Sequence, residues 1–292
     1  MLKINFLDKS TLRNVFQTDQ NLTIGIIRDD LYHPFVSGNK FRKLKGFLRL
    51  TKEKRIKEKG ITKWVTFGGA WSNHLVAVAY TAAKLRISAR AFVRGEEVRN
   101  PILFLCKQWG MQLEFISRSD YQNLTQKVYK DAVIDGDTLW IPEGGKGKLG
   151  FEGFADLIQQ IPTDVHYLFT AVGSGTTLAG LCNYNHPVQR IGIVVLKATQ
   201  IFDEYKNMVL HQPLLSWDYH LGGYAKTNSE YLSFLTKFSQ NTGILLDPIY
   251  TGKMVYAVYH LIQNSFFYEN QKIYLLHTGG LTGILGKWEE YP

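Results

Sequence analysis

Short apolar runs alternate along the chain with segments of helical period, the pattern of parallel α/β layers. After a lysine-bearing stretch at 37–44, a helix is predicted to run to about residue 59. Lys63-Trp64-Val65-Thr66-Phe67 then reads as a buried strand ended by Gly68-Gly69. Residues 75–85, alanine- and valine-rich and apolar nearly all round, predict a helix packed on a sheet. Strands follow at 89–93 and 113–116, with helices over 101–109 and 121–133, and a further strand at 138–142. The glycine-rich run 143–150 is the clearest shift in composition and predicts a domain boundary. Beyond it the pattern gives a helix over 151–160, strands at 166–171, 190–196 and 272–277, and a helix entered near Leu246 and continuing to about Phe267.

The polar residues punctuating these elements carry the candidate chemistry. Ser37-Gly38-Asn39-Lys40 sets a lysine behind a glycine turn at a helix entrance, where burial and the cations Arg42 and Lys43 could free its amine for Schiff-base formation. Ser72, Asn73 and His74 crowd the mouth of the next helix, where hydroxyl and amide groups either cap the helix or bind an anion. Val172-Gly173-Ser174-Gly175-Thr176-Thr177 follows a strand and enters a helix, the order a phosphate cradle requires. Leu178 stands where the dinucleotide fingerprint needs its third glycine and no P-loop lysine follows, so a monophosphate is the ligand left. Tyr250, in a turn entering a helix, and the Thr278-Gly279-Gly280 strand end complete the set.

Composition narrows the picture. The 292 residues carry a formal charge of +9, but the basic residues are dispersed and the densest run, from Lys52 to Lys59, alternates with acids, the signature of a solvated helix face. Aromatics, 13% of the chain, do not interleave with basic residues, so nucleic-acid binding is not expected and small anionic ligands are. Cys106 and Cys182 form no C-x-x-C pair, which argues against a disulfide framework or zinc ribbon and for a reducing cytoplasm. No histidine cluster suggests a metal. The first eight residues lack a leader-like apolar core and no stretch approaches a spanning length, so neither secretion nor a membrane is expected.

Taken together, Gly38-Asn39-Lys40 with Arg42-Lys43-Leu44, Gly68-Gly69 with Ser72-Asn73-His74, the 173–177 loop, Asp247-Pro248-Ile249-Tyr250-Thr251-Gly252-Lys253 and His277-Thr278-Gly279-Gly280 resemble the 1-aminocyclopropane-1-carboxylate deaminase and D-cysteine desulfhydrase family. The resemblance covers nearly the whole chain in order. It implies pyridoxal-phosphate fold type II, the tryptophan-synthase β-like α/β architecture of two open, mostly parallel twisted sheets flanked by helices. Residues 1–41 and 151–292 would form a larger cofactor-binding domain and 42–150 a smaller one, in a homodimer, with pyridoxal 5'-phosphate in the cleft between the domains.

By the same resemblance Lys40 would carry the cofactor and act as base at Cα, and Lys43 and Asn73 would contact the cofactor. Val172, Gly173, Ser174, Gly175, Thr176 and Thr177 would hold its phosphate, and Tyr250, Thr251 and Thr278 would line its ring. Ser72, Asn73 and His74 would meet a small amino-acid substrate, with Lys40, Ser72 and Tyr250 catalytic. Thr251 and Thr278 stand where cyclopropane deaminases of the family carry an acid and an aliphatic residue, and both changes resemble desulfhydrases. The expected activity is therefore α,β-elimination on a small D-amino acid, with cyclopropane deamination as the alternative and a catalytically weak cofactor-binding protein as the non-enzyme one. Trp71 departs from the polar residue the family leads one to expect and points to a reshaped substrate pocket.

Overall fold

The computed structural model describes residues 2–57, 60–198 and 200–291. The chain opens with β1 (Ile4–Phe6), α1 (Lys9–Phe16) and β2 (Thr23–Arg28). It continues through α2 (Asn39–Lys57), β3 (Lys63–Gly68), α3 (Asn73–Leu85), β4 (Ser88–Arg94), α4 (Pro101–Gln108), β5 (Met111–Ile116), α5 (Arg118–Asn123), β6 (Val133–Asp135) and β7 (Thr138–Ile141). Then come α6 (Ala155–Gln159), β8 (Tyr167–Val172), α7 (Thr176–Cys182), β9 (Gln189–Val194), β10 (Leu214–Ser216), α8 (Ser229–Thr242), α9 (Thr251–Gln263), β11 (Lys272–His277) and α10 (Thr282–Leu285).

Two compact units result, one of residues up to Leu31 joined with residues from Ala155 onward, the other Tyr32–Phe154. The sequence had suggested 1–41 with 151–292 and 42–150; the division instead falls ten residues earlier at the first crossing, before α2 begins. Helix α2 is a single element, and its inner face packs on the segment 148–154 of its own unit. A side chain at Gly153 would collide with the Arg42 carbonyl, so this close approach needs glycine. Lys40 therefore belongs to the smaller unit.

In the larger unit a six-stranded sheet runs β1-β2-β11-β8-β9-β10, parallel except for β1. In the smaller unit the order is β5-β4-β3-β7-β6, parallel except for β6. The central strands β3, β8 and β11 are buried along nearly their whole length, which is why their sequences are continuous apolar runs rather than alternating ones. Each unit has its own core, one around Phe16, Phe169, Phe238 and Val255, the other around Phe47, Trp64, Ala79 and Ile141. Strand ends β3 at Gly68, β8 at Val172 and β11 at His277 lead into the polar turns singled out above, the edge of a parallel sheet where ligands bind.

Three predicted elements change. The helix expected over 121–133 is α5 followed by one wide turn at Leu124–Val128 and then the β6–β7 hairpin. Gly136, at φ 57°, makes the two-residue turn between Asp135 and Thr138. The helix over 151–160 is a 3₁₀ turn, Glu152–Phe154, leading into α6, and α9 stops at Gln263 rather than near Phe267. Helix α8 comes with no counterpart in the predicted pattern; Asn228 caps its first turn by accepting from the Tyr231 N–H, and Gly243 closes it at φ 67°.

Candidate active site

In the smaller unit Lys40, the residue expected to form the Schiff base, sits on the first turn of α2. Gly38, at φ 61°, turns the chain into the helix, and the N–H groups of Lys40 and Phe41 donate back to Ser37 and Gly38 carbonyls. Lys40 is partly buried and its Nζ donates to Asn39 Oδ1 at 3.0 Å. Lys43, one turn on and thus on the same helix face, is 3% exposed. Burial, reinforced by the charges of Lys40 and Lys146, pushes its ammonium well below the ordinary lysine range. Of the two cations predicted to flank Lys40, Lys43 does so. Arg42 turns its guanidinium toward the Gly153 carbonyl (3.4 Å) and over the Tyr32 ring.

Helix α3 presents the next group. Ser72 is its N-cap, with Oγ accepting from the Leu75 N–H at 3.4 Å, and Asn73 begins the helix. His74 points its side chain inward and is 2% exposed. Thr66 gives its hydroxyl proton to the Ile141 carbonyl (2.9 Å), so the 2.8 Å contact with His74 must be donated by Nε2–H. His74 Nδ1 then carries the lone pair, and among the described residues no hydrogen bond reaches it. Burial first, then the charges of Lys40 and Lys43, hold this imidazole well below the ordinary histidine range, so it is neutral. A ring in that state has no proton to offer a carboxylate. What α3 offers an anion is the Ser72 hydroxyl and the backbone N–H groups of its first turn.

The larger unit supplies a second group. The Gly173–Gly175 turn follows β8, and a side chain at Gly173 would stand 2.8 Å from Tyr250 Cε1, so the missing Cβ is what lets the Tyr250 ring lie on the loop. Ser174 Oγ and Thr176 Oγ1 are 3.1 Å apart, and Thr176 Oγ1 also meets the Tyr205 hydroxyl at 3.0 Å. Thr177 is buried beside them. Tyr205 has no sequence signal that would have marked it.

Thr251 and Thr278 lie at the start of α9 and the end of β11, fully buried and 6% exposed respectively, with their hydroxyls 3.0 Å apart. Close by in sequence is one acid, Asp247, but its carboxylate is committed to the backbone. Oδ1 accepts from Ile249 and Tyr250 N–H at 3.1 and 2.6 Å, and Oδ2 from Thr251 N–H at 2.9 Å. Tyr250 is half-buried, and the ring of Tyr224, absent from the sequence-derived set, meets it edge-on at 6.3 Å.

The donor set fits pyridoxal phosphate. A half-buried primary amine stands with a buried ammonium whose charged neighbours are further cations, which suits an anionic ligand. In the larger unit, taken by itself, a glycine turn of the kind that seats a phosphate is covered by an aromatic ring, and a buried pair of neutral hydroxyls lies at the start of α9 and the end of β11. No described helix is long and apolar enough to cross a membrane.

Comparison with known proteins agrees. The chain is 28% identical to a protein of Thermotoga maritima provisionally named a 1-aminocyclopropane-1-carboxylate deaminase, over 90% of each chain. It is 27% identical to the mitochondrial bifunctional D-cysteine desulfhydrase/1-aminocyclopropane-1-carboxylate deaminase of Arabidopsis thaliana, over 91% of this chain and 74% of that one. A crystal structure of an ACC deaminase homologue superimposes with a TM-score of 0.81 at 26% identity, covering 99% of this chain and 92% of that one. Residues 21–279 match the family described as pyridoxal-phosphate dependent enzyme. The chain therefore belongs to the pyridoxal-phosphate-dependent enzyme family.

Proposed function

We propose that the protein is a lyase that removes the β-substituent of a small D-amino acid, with D-cysteine and water giving pyruvate, ammonia and hydrogen sulfide. The observation that carries this reading is the buried Thr251–Thr278 hydroxyl pair, with the neighbouring Asp247 carboxylate already committed to three backbone donors. A carboxylate beside a pyridine nitrogen favours its protonated form and a strong electron sink, whereas hydroxyls do so much less. Expelling hydrosulfide from Cβ asks less of that sink than opening a cyclopropane ring.

Bound pyridoxal phosphate supplies the electron sink that stabilises negative charge at the substrate Cα. Lys40 holds the cofactor and then carries the Cα proton on Nζ. Lys43 contacts the cofactor, the loop 172–177, with Ser174 and Thr177 hydroxyls, seats the phosphate, and Asn73 bonds the ring hydroxyl. Ser72 and the α3 backbone N–H groups orient the substrate carboxylate, while Tyr250 covers the reacting carbons. A homodimer in a reducing cytoplasm is the expected setting, supported by the family resemblance for the first and by two buried, isolated cysteines for the second.

The deciding experiment offers the cofactor-loaded protein D-cysteine, L-cysteine and 1-aminocyclopropane-1-carboxylate in parallel, scoring pyruvate and 2-oxobutanoate. Preference for D-cysteine is expected. Turnover of the cyclopropane substrate alone would keep Lys40 and overturn the substrate assignment. The names of the relatives keep that second activity in view, and Thr251→Glu with Thr278→Leu should raise it.

A further inference from the structure

Helix α9 buries a lysine that the proposed chemistry does not use. Lys253 is fully buried, yet it carries an ammonium on a helix whose other buried residues include Met254, Val255, Ala257 and Val258. Its Nζ donates to two backbone carbonyls, His220 and Gly223, at 2.8 Å each. Burial lowers its pKa to about 8 against the opposing pull of Asp247. Such a group is costly to bury unless it is hydrogen-bonded, and here the acceptors belong to one short loop.

That loop is strained. Leu221 and Ala225 both sit at φ 54°, in the left-handed region that side chains other than those of Gly, Asn and Asp rarely adopt, and Gly222 and Gly223 between them are at 93° and 132°. Backbone held this way persists only where its surroundings fix it. Its own local bonds are three among the described residues: His220 Nδ1 accepts from the Gly222 N–H, the His220 carbonyl from the Gly223 N–H, and the Gly223 carbonyl, at 3.3 Å, from the Lys226 N–H. The residue carried at the centre of the strained segment is Tyr224, half exposed, with its ring against Tyr250.

We infer that Lys253 is a positioning residue: by bridging the His220 and Gly223 carbonyls it clamps the strained 220–225 loop and so holds Tyr224 against Tyr250. The inference rests on the reading of Tyr250 as an active-site residue only for its effect on turnover; the clamp itself is a statement about the loop.

The test combines hydrogen exchange and steady-state kinetics on the holoenzyme for Lys253→Met, Tyr224→Leu, which removes the ring that meets Tyr250, and the double variant. Losing the two hydrogen bonds from Lys253 Nζ to the closed loop shifts its local opening equilibrium by on the order of thirtyfold. Amide exchange in a peptide covering 220–226 should therefore rise by about that factor in Lys253→Met, with 254–262 in α9 unchanged. Tyr224→Leu should leave exchange as it is, since Tyr224 is half exposed and the Lys253 bonds remain. Both single variants should lower kcat, and the double variant should be no slower than the slower single one, because the two act through the same ring. Unchanged loop exchange in a folded Lys253→Met protein, or losses in kcat that multiply, would overturn the clamp. Should Lys253→Met not fold, Lys253→Gln keeps two N–H donors on a shorter, uncharged stem; it must show raised exchange confined to the same loop, and protection equal to wild type would refute the inference. If the wild-type enzyme turns over none of the amino acids offered, the functional reading fails while the exchange result still decides the clamp.

Discussion

The Thr251–Thr278 pair allows a quantitative test of whether those hydroxyls form one unit facing the cofactor. Each hydroxyl is buried, and the two satisfy each other at 3.0 Å; Thr251 Oγ1 also accepts, at 3.4 Å, from the Thr278 N–H. Valine has nearly the shape of threonine, so a Thr→Val change removes hydrogen bonding while leaving the volume almost unchanged. Thr251→Val strands the Thr278 hydroxyl and its N–H together, a loss of about 2 kcal/mol, since an unsatisfied buried polar group costs about 1–3 kcal/mol. Thr278→Val strands one hydroxyl that keeps a weak N–H partner, about 1 kcal/mol. In the double variant the hydroxyls disappear together, leaving only the N–H, so the loss should be about 1 kcal/mol rather than the sum of about 3, a coupling of about 2 kcal/mol.

Urea unfolding of the four proteins reads these values directly, provided the slope with denaturant stays constant. Repeating the series with saturating pyridoxal phosphate adds the functional half. A ligand stabilises by its binding free energy to the folded state, so loss of a contact to the ring should shrink the cofactor-dependent increment in the double variant by about 1 kcal/mol. Single losses that add to within about 0.3 kcal/mol would show that the two hydroxyls act independently. An undiminished cofactor increment would remove them from the ring nitrogen and with it the argument for desulfhydration.

Other consequences can be checked alongside. Lys40→Ala should abolish pyruvate release and the visible absorbance of lysine-bound cofactor, and full turnover in that variant would sink the assignment. Gly173→Ala places a methyl group 2.8 Å from Tyr250 Cε1, so the ring must shift; a stability loss of about 1–3 kcal/mol and a drop in kcat are expected, measured by thermal unfolding and pyruvate release. His74 is held neutral below the ordinary histidine pKa of 6.5, so as pH falls below that value the unfolded chain takes up a proton that the folded one refuses. Its stabilisation is full above about pH 6.5 and declines by up to about 1.4 kcal/mol per pH unit below it, a slope that His74→Gln should reduce in unfolding series between pH 7.5 and 5.

The strands that organise both sheets were legible because parallel strands buried on two faces must be apolar throughout, as β3, β8 and β11 are. Their glycine-rich ends announced the turns for the same reason that ligands use them. The 121–133 segment misled because Val133 and Ile134 lie on an exposed, antiparallel edge strand, where neither period nor burial gives a clear signal; Asp135-Gly136-Asp137 was the turn signature available. Choosing between Arg42 and Lys43 as the neighbour of Lys40 needed only helix geometry, since positions three apart share a face and positions two apart do not. The inward turn of His74 is harder: a polar triplet at a helix mouth says nothing about which member faces the strand behind it. Nor can a sequence show that the lysine of Thr251-Gly252-Lys253 is buried, because the carbonyls that receive it come from a loop some thirty residues away.

The larger unit is assembled from the two ends of the chain. Strand β11 pairs with β2 from Lys272 opposite Thr23 to His277 opposite Arg28, and on its other side with β8. On a ribosome adding about 5–20 residues per second, β2 is therefore made roughly ten seconds or more before its partner exists, while residues 32–154 are already contiguous and free to condense. Folding of this protein should thus proceed from the middle outward, with one late strand closing the sheet. A ribosome stalled well past Phe154 but before Lys272 would hold a finished smaller unit between two parts of an unfinished one, with apolar β2 paired to β1 on one side and awaiting β11 on the other, open to chaperones throughout that interval.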